Sequence, residues 1–124
     1  MGTLLDADRT IADRIGPDRS DVVQAVIEEN TIDVHEIIAA PGEGFRLVVV
    51  GWYIIPGGAT YFEWRLGATS VLKDTTATAH QPYQDRGSTA SPVWRLGENE
   101  ALSLQLEAAV LTTGYVTYFV EAVA

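Results

Sequence analysis

Apolar and polar residues alternate along much of the chain. In residues 102–107, leucine alternates with serine, glutamine and glutamate, and in residues 60–66 the apolar set Phe62, Trp64 and Leu66 shares one face. Successive side chains of a β-strand point to opposite faces of the sheet. The pattern therefore predicts antiparallel strands with one face in a core and the other in water.

Turn residues divide the alternating segments into lengths typical of strands. The clearest predicted turns are Pro41 to Gly44, Pro56 to Gly58, Gly97 to Glu100 and Thr113-Gly114, and Glu29-Asn30 is predicted to join the first two strands. The predicted strands are 22–28, 31–40, 45–55, 60–66, 93–96, 102–107 and 115–121, the last two as an antiparallel pair. With an edge strand in the middle of the chain, about eight short strands predict an all-β fold, an antiparallel β-sandwich that is jelly-roll-like, over residues 21–124.

The middle of the chain has a different composition. Thr75, Thr76 and Thr78 predict a short edge strand, whereas residues 81–89 are polar and rich in turn formers. We expect residues 81–89 to form a long exposed loop, the kind of segment in which recognition sites are common.

Residues 1–20 are predicted to form a separate N-terminal arm. Its apolar residues have helical spacing, and Gly16-Pro17 ends that pattern. A helix of this length is marginal in water, so the arm packs on the body, packs on a partner or orders only on binding. The residues predicted to contact a partner are Leu4, Leu5, Ile11 and Ile15.

Composition narrows the classes of function. Eight basic and 17 acidic residues give a net charge of −9, so direct binding to nucleic acid is not expected. The chain has no cysteine, no apolar run of membrane-spanning length and no features of a signal peptide at its start, which predicts synthesis in the cytoplasm and no membrane association. Residues 21–44 include six Asp or Glu residues and no Lys or Arg. This composition indicates a solvated face, a surface for a basic partner or a calcium site.

Residues able to perform chemistry are few. The two histidines, His35 and His80, are far apart in sequence, and no serine stands in a nucleophile elbow. A cupin-type metal enzyme needs a paired His-x-His on its strands, whereas His35 stands alone before Glu36. We therefore expect a non-enzymatic protein without a metal or cofactor.

Aromatic residues suggest two kinds of surface. Trp52 and Tyr53 are neighbours in one predicted strand, so one of them faces away from the core. The same holds in residues 115–120, and this surplus of outward aromatic and apolar groups predicts a subunit interface. Tyr83 and Trp94 flank the predicted polar loop and are candidates for a ligand site.

Two stretches of sequence resemble a group of small tailed-bacteriophage virion proteins. The first runs from Ala39 to Tyr53 and includes Pro-Gly-Glu-Gly-Phe, and the second runs from Pro92 to Leu104 and includes Gly-Glu-Asn-Glu-Ala-Leu. The closing Gly114 to Tyr118 is also similar. The resemblance covers residues 32–123 and leaves the arm unaccounted for.

The resemblance implies a compact, jelly-roll-like β-sandwich found on capsids or in tail appendages. It leads us to expect a decoration or cement protein that binds the outer surface of a phage head as a homotrimer and contacts the major capsid protein, with the virion surface as its location. The shared positions are scaffold positions, so no binding residue is implied. The alternative is a carbohydrate- or receptor-binding module of a phage tail fibre that uses Tyr83 and Trp94.

Overall fold

The structure, a computed structural model, describes residues 21–123, which form nine β-strands and no helix within that range. The strands are β1 (Val23–Glu29), β2 (Asp33–Ile38), β3 (Phe45–Pro56), β4 (Thr60–Leu66), β5 (Thr69–Ala77), β6 (Tyr83–Arg86), β7 (Trp94–Arg95), β8 (Leu102–Leu106) and β9 (Thr112–Ala122). The predicted all-β fold is confirmed. The predicted arm, including Leu4, Leu5, Ile11 and Ile15, lies outside the described residues.

Two antiparallel sheets pack against each other. One has the order β1-β9-β3-β6, with β7 also paired to β3, and the other has the order β2-β8-β4-β5. The pairing is nested along the chain, because β1 pairs with β9, β2 with β8, β3 with β6 and β7, and β4 with β5. This is a long hairpin rolled into two sheets, which is the arrangement of a jelly roll.

One predicted neighbour relation is wrong. β8 and β9 are not an antiparallel pair, because they belong to different sheets. β1 and β2, which a turn at Glu29-Asn30 is predicted to join, also belong to different sheets. Residues 30–32 and 107–111 instead carry the chain from one sheet to the other. A turn signal marks where a strand ends but does not state whether the next strand joins the same sheet.

The predicted exposed loop at 81–89 is also wrong in part. Tyr83–Arg86 forms strand β6, which pairs with β3 from Ile54↔Tyr83 to Gly51↔Arg86. An edge strand is paired on one side only, so it keeps polar, exposed side chains while its backbone forms a ladder. Its composition therefore resembles that of a loop.

Aromatic and branched side chains fill the space between the sheets. Trp64 is fully buried, and its ring centroid lies 5.4 Å from that of Trp52 and 6.0 Å from that of Trp94. Leucines from β8 complete this cluster, with Leu102, Leu104 and Leu106 all buried. The leucine alternation of β8 thus faces the core as predicted.

The turn at Pro41 to Gly44 and the turn at Gly97 to Glu100 meet in space. The backbone N–H of Gly42 donates to Asn99 Oδ1 at 2.9 Å, and that of Gly44 donates to Glu98 Oε2 at 2.7 Å. The Asn99 N–H returns a bond to the carbonyl of Phe45 at 2.8 Å. Asn99 adopts a φ of 55°, a left-handed conformation that asparagine tolerates better than most residues. These turns form one hydrogen-bonded unit at one end of the sandwich.

Candidate functional site

A groove of about 210 Å³ crosses the outer face of the β1-β9-β3-β6 sheet. We call it the tyrosine groove. Residues from all four strands line it: Gln24, Val50, Gly51, Trp52, Tyr53, Gln84, Asp85, Arg86, Gly87, Tyr115 and Thr117.

Strand register brings these residues together. Tyr53 lies opposite Tyr115 on β9 and Gln84 on β6. Two residues earlier in β3, Gly51 lies opposite Thr117 on β9 and Arg86 on β6. The intervening residue of β3, Trp52, points into the core and is 5% exposed. The two-residue period of the strand therefore places the groove residues on the outer face.

The two tyrosines form one wall of the groove. Their rings are stacked, with centroids 5.5 Å apart and an angle of 17° between the planes. Both side chains are half-buried although they lie on the outer face. Cross-strand aromatic pairs of this kind stabilise a sheet by about 0.2–1 kcal/mol, and they also offer a preformed apolar surface.

Gly51 forms the floor of the groove. The register of β3 against β9 shifts between Val49 and Gly51, which is a β-bulge. A Cβ at position 51 would lie 3.1 Å from the carbonyl oxygen of Asp85, so the glycine lets β3 and β6 approach closely. Bulges next to sites commonly redirect side chains, and here the bulge precedes the outward Tyr53.

Arg86 and Asp85 are the two charged residues in the lining of the groove. The structure describes four arginines, and Arg46, Arg65 and Arg95 each lie within 4.0 Å of a glutamate oxygen. Arg86 forms no ion pair with any described side chain and is exposed. Asp85, its neighbour, accepts a 2.9 Å hydrogen bond from the Arg86 backbone N–H and lies opposite the inward-facing Trp52.

A second surface lies along one side of the sandwich, where β1 is the edge strand of one sheet and β2 is the edge strand of the other. Its apolar side chains are exposed, Val26 by 78% and Ile32 by 61%. We call this surface the apolar edge and define it by Val23, Val26, Ile32 and Val34. His35 Nδ1 lies 3.1 Å from Glu29 Oε1 and links the two strands beside it. Exposed edge strands with apolar side chains are prone to pair with other chains.

The structure places the predicted ligand residues against the core. The Tyr83 ring packs edge-on against Phe62 at 5.8 Å, and its hydroxyl accepts a 2.7 Å hydrogen bond from the Thr78 N–H. Trp94 stacks on Trp52 at 6.3 Å. Both are half-buried, so a ligand would meet only part of each ring.

The predicted surplus of outward aromatic groups is smaller in the structure. Trp52 is buried in the core and Tyr118 packs against it, whereas Phe119, the strand neighbour of Tyr118, is buried but is not part of the core cluster. Tyr53 and Tyr115 remain on the outer face. Sequence reasoning missed the groove that they form, although Gly51 inside an apolar strand is the signal for a bulge or a close approach.

Within residues 21–123, as far as their side chains are described, no group of three or more His, Cys, Asp or Glu side chains is placed to hold a metal ion. No helix in that range is long and apolar enough to cross a membrane. The sequence matches no protein-family model and no curated protein.

Proposed function

We propose that this chain is a non-enzymatic virion structural protein that decorates the outer surface of a bacteriophage head and acts as a homotrimer. The sequence resemblance motivates the proposal, and the jelly-roll sandwich is compatible with it. The two stretches that carry the resemblance form one interlocked pair of turns in this fold. The contact between these two turns supports the proposal.

The apolar edge is the observation that carries the proposal. Among the described strands, β1 and β2 each pair on one side only, and Val26, Val34 and, in the connection between the two strands, Ile32 are exposed. Burial of such side chains against copies of the same chain stabilises an oligomer by about 25 cal/mol per Å² of apolar area. A trimer then presents three attachment sites at once, so weak individual contacts combine through a high effective concentration.

The arm and the acidic segment are the proposed contacts with the major capsid protein. The acidic side chains of residues 21–44 lie mostly on the surface, with Asp21, Glu28, Asp33, Glu36 and Glu43 exposed. They suit a basic patch on a partner. Leu4, Leu5, Ile11 and Ile15 of the arm would supply apolar anchors beside that patch.

Deletion of residues 1–20 tests this arrangement. We expect the shortened chain to remain folded and trimeric, because the apolar edge and the core lie within residues 21–123, but to lose binding to phage heads. Light scattering should give about three times the chain mass, and cosedimentation with heads purified without the protein should measure attachment.

A pair of full-length variants provides the matched comparison. In the first variant, serine replaces Leu4, Leu5, Ile11 and Ile15, and we expect it to lose binding to phage heads as the deletion does. In the second, alanine replaces the polar residues Thr3, Asp6, Asp8 and Thr10, and we expect it to keep most of that binding. Undiminished head binding by the deletion protein would refute the role of the arm.

The tyrosine groove supports a second candidate, a carbohydrate- or receptor-binding module of a tail fibre. This candidate now depends on Tyr53 and Tyr115 in place of Tyr83 and Trp94. It makes a distinct prediction about where the protein sits in the particle, namely at the tail rather than over the head.

A further inference from the structure

We propose that the tyrosine groove binds one carboxylated sugar ring, such as a uronic acid residue of a surface polysaccharide. Arg86 binds the carboxylate, Gln24, Gln84 and Thr117 bind ring hydroxyls, and the tyrosine wall contacts the C–H groups of the ring. The residues proposed to bind the sugar are different from those proposed to contact the capsid protein, so the two proposals can be tested separately.

Charge indicates the acidic group of the ligand. Arg86 lines the groove together with Asp85 but forms no ion pair with a described side chain, whereas each of the other described arginines lies near a glutamate. A guanidinium presents a planar fork of donors that matches a carboxylate in a bidentate pair. Because the chain has a net charge of −9, it does not attract polyanions in general, and the attraction must be local to Arg86.

Mixed chemistry in the groove indicates a sugar rather than a simple organic acid. A pyranose ring has apolar C–H faces bordered by hydroxyls that both donate and accept hydrogen bonds. The Tyr53–Tyr115 wall can pack against the C–H face of the ring. The amides of Gln24 and Gln84 each offer a donor and an acceptor for the hydroxyls. Both amides are exposed.

Size indicates one ring at a time. The groove volume of about 210 Å³ is below the range of roughly 300–1,000 Å³ that accommodates drug-sized ligands. The groove is open to solvent along the sheet, so the neighbouring sugars of a polymer continue across the surface. Gly51 keeps the floor low, since a Cβ there would project from the strand at the base of the groove.

Titration of the full-length protein with trisaccharides tests the proposal. The probes are the trimers of galacturonate, glucuronate and mannuronate, each compared with the neutral trimer of the parent hexose by calorimetry. We expect at least one acidic trimer to bind about tenfold or more tightly than its neutral counterpart, because a charge-assisted pair with Arg86 is added. Added salt should reduce the difference.

Variants assign the effect to the groove. Arg86→Ala should abolish the preference for the acidic trimer, and Arg86→Lys should retain part of it because the charge remains but the fork is lost. Gln84→Ala should weaken acidic and neutral trimers alike. The control is Thr113→Ala, an exposed position of β9 outside the groove lining, which should bind as the wild type does. Thermal melts confirm that each variant is folded.

The proposal is overturned if none of the acidic trimers binds, if acidic and neutral trimers bind equally, or if Arg86→Ala binds as the wild type does. Attachment to phage heads should be unchanged in Arg86→Ala. A loss of sugar binding and a loss of head binding are therefore separate results, and failure of one proposal leaves the other in place.

Discussion

Alanine at position 114 is expected to destabilise the protein strongly. Gly114 lies where β9 runs between β1 and β3, opposite Ile27 and Ile54. A Cβ there would collide with the carbonyl oxygen of Tyr53 and would lie 2.8 Å from its carbonyl carbon and 2.9 Å from the Cα of Ile54. These are backbone atoms of the central strand, which has no room to retreat because it is paired on both sides.

The expected cost of Gly114→Ala is about 3 kcal/mol or more of unfolding free energy, at the upper end of what overpacking produces. Urea unfolding followed by tryptophan fluorescence measures it. Thr113→Ala, one residue away and exposed, is the control and should change the free energy by less than about 0.5 kcal/mol. A Gly114→Ala protein as stable as that control would show that β9 and β3 are not in close contact here.

Trp64→Ala should produce a loss of similar size for the opposite reason, a cavity. Trp64 is fully buried and contacts both Trp52 and Trp94, so its removal leaves two large rings without their neighbour. Truncation of a buried tryptophan costs about 3–5 kcal/mol. That is a large part of the roughly 5–15 kcal/mol by which a typical domain is stable.

Trp64→Phe separates packing from hydrogen bonding at this position. The indole N–H of Trp64 is buried and has no hydrogen-bond partner among the described residues, and an unpaired buried donor costs about 1–3 kcal/mol. Phenylalanine fills part of the space without that donor. We therefore expect the phenylalanine variant to lose much less stability than the alanine variant in the same urea experiment, and equal losses would contradict the packing argument.

Local pattern was enough to predict most strands but not their partners. Alternation placed β3, β4 and β8 close to their observed bounds. The sheet assignment of β1 and β2 was not predictable, because the residues between them suit a hairpin turn and a crossover equally well. Nested pairing depends on contacts between strands as distant as β1 and β9, which no local signal reports.

The candidate site was harder to predict for a related reason. Neighbouring residues Trp52 and Tyr53 were known to face opposite ways, yet the bulge at Gly51 shifts the phase of β3 and decides which one faces out. Tyr83 and Trp94 lie on the short strands β6 and β7, which turn their rings toward the core. The outward pair, Tyr53 and Tyr115, comes from strands far apart in sequence and is visible only once they are paired.

Quantitative mass spectrometry of purified virus particles tests attachment to the head most directly. The particles come from the strain whose genome encodes this chain, and the measured quantity is the ratio of this chain to the major capsid protein. A decoration protein should be present at a fixed ratio that corresponds to occupation of the three-fold positions of the shell. Absence from the particles, or a copy number matching that of the tail fibres, would contradict the assignment to the head.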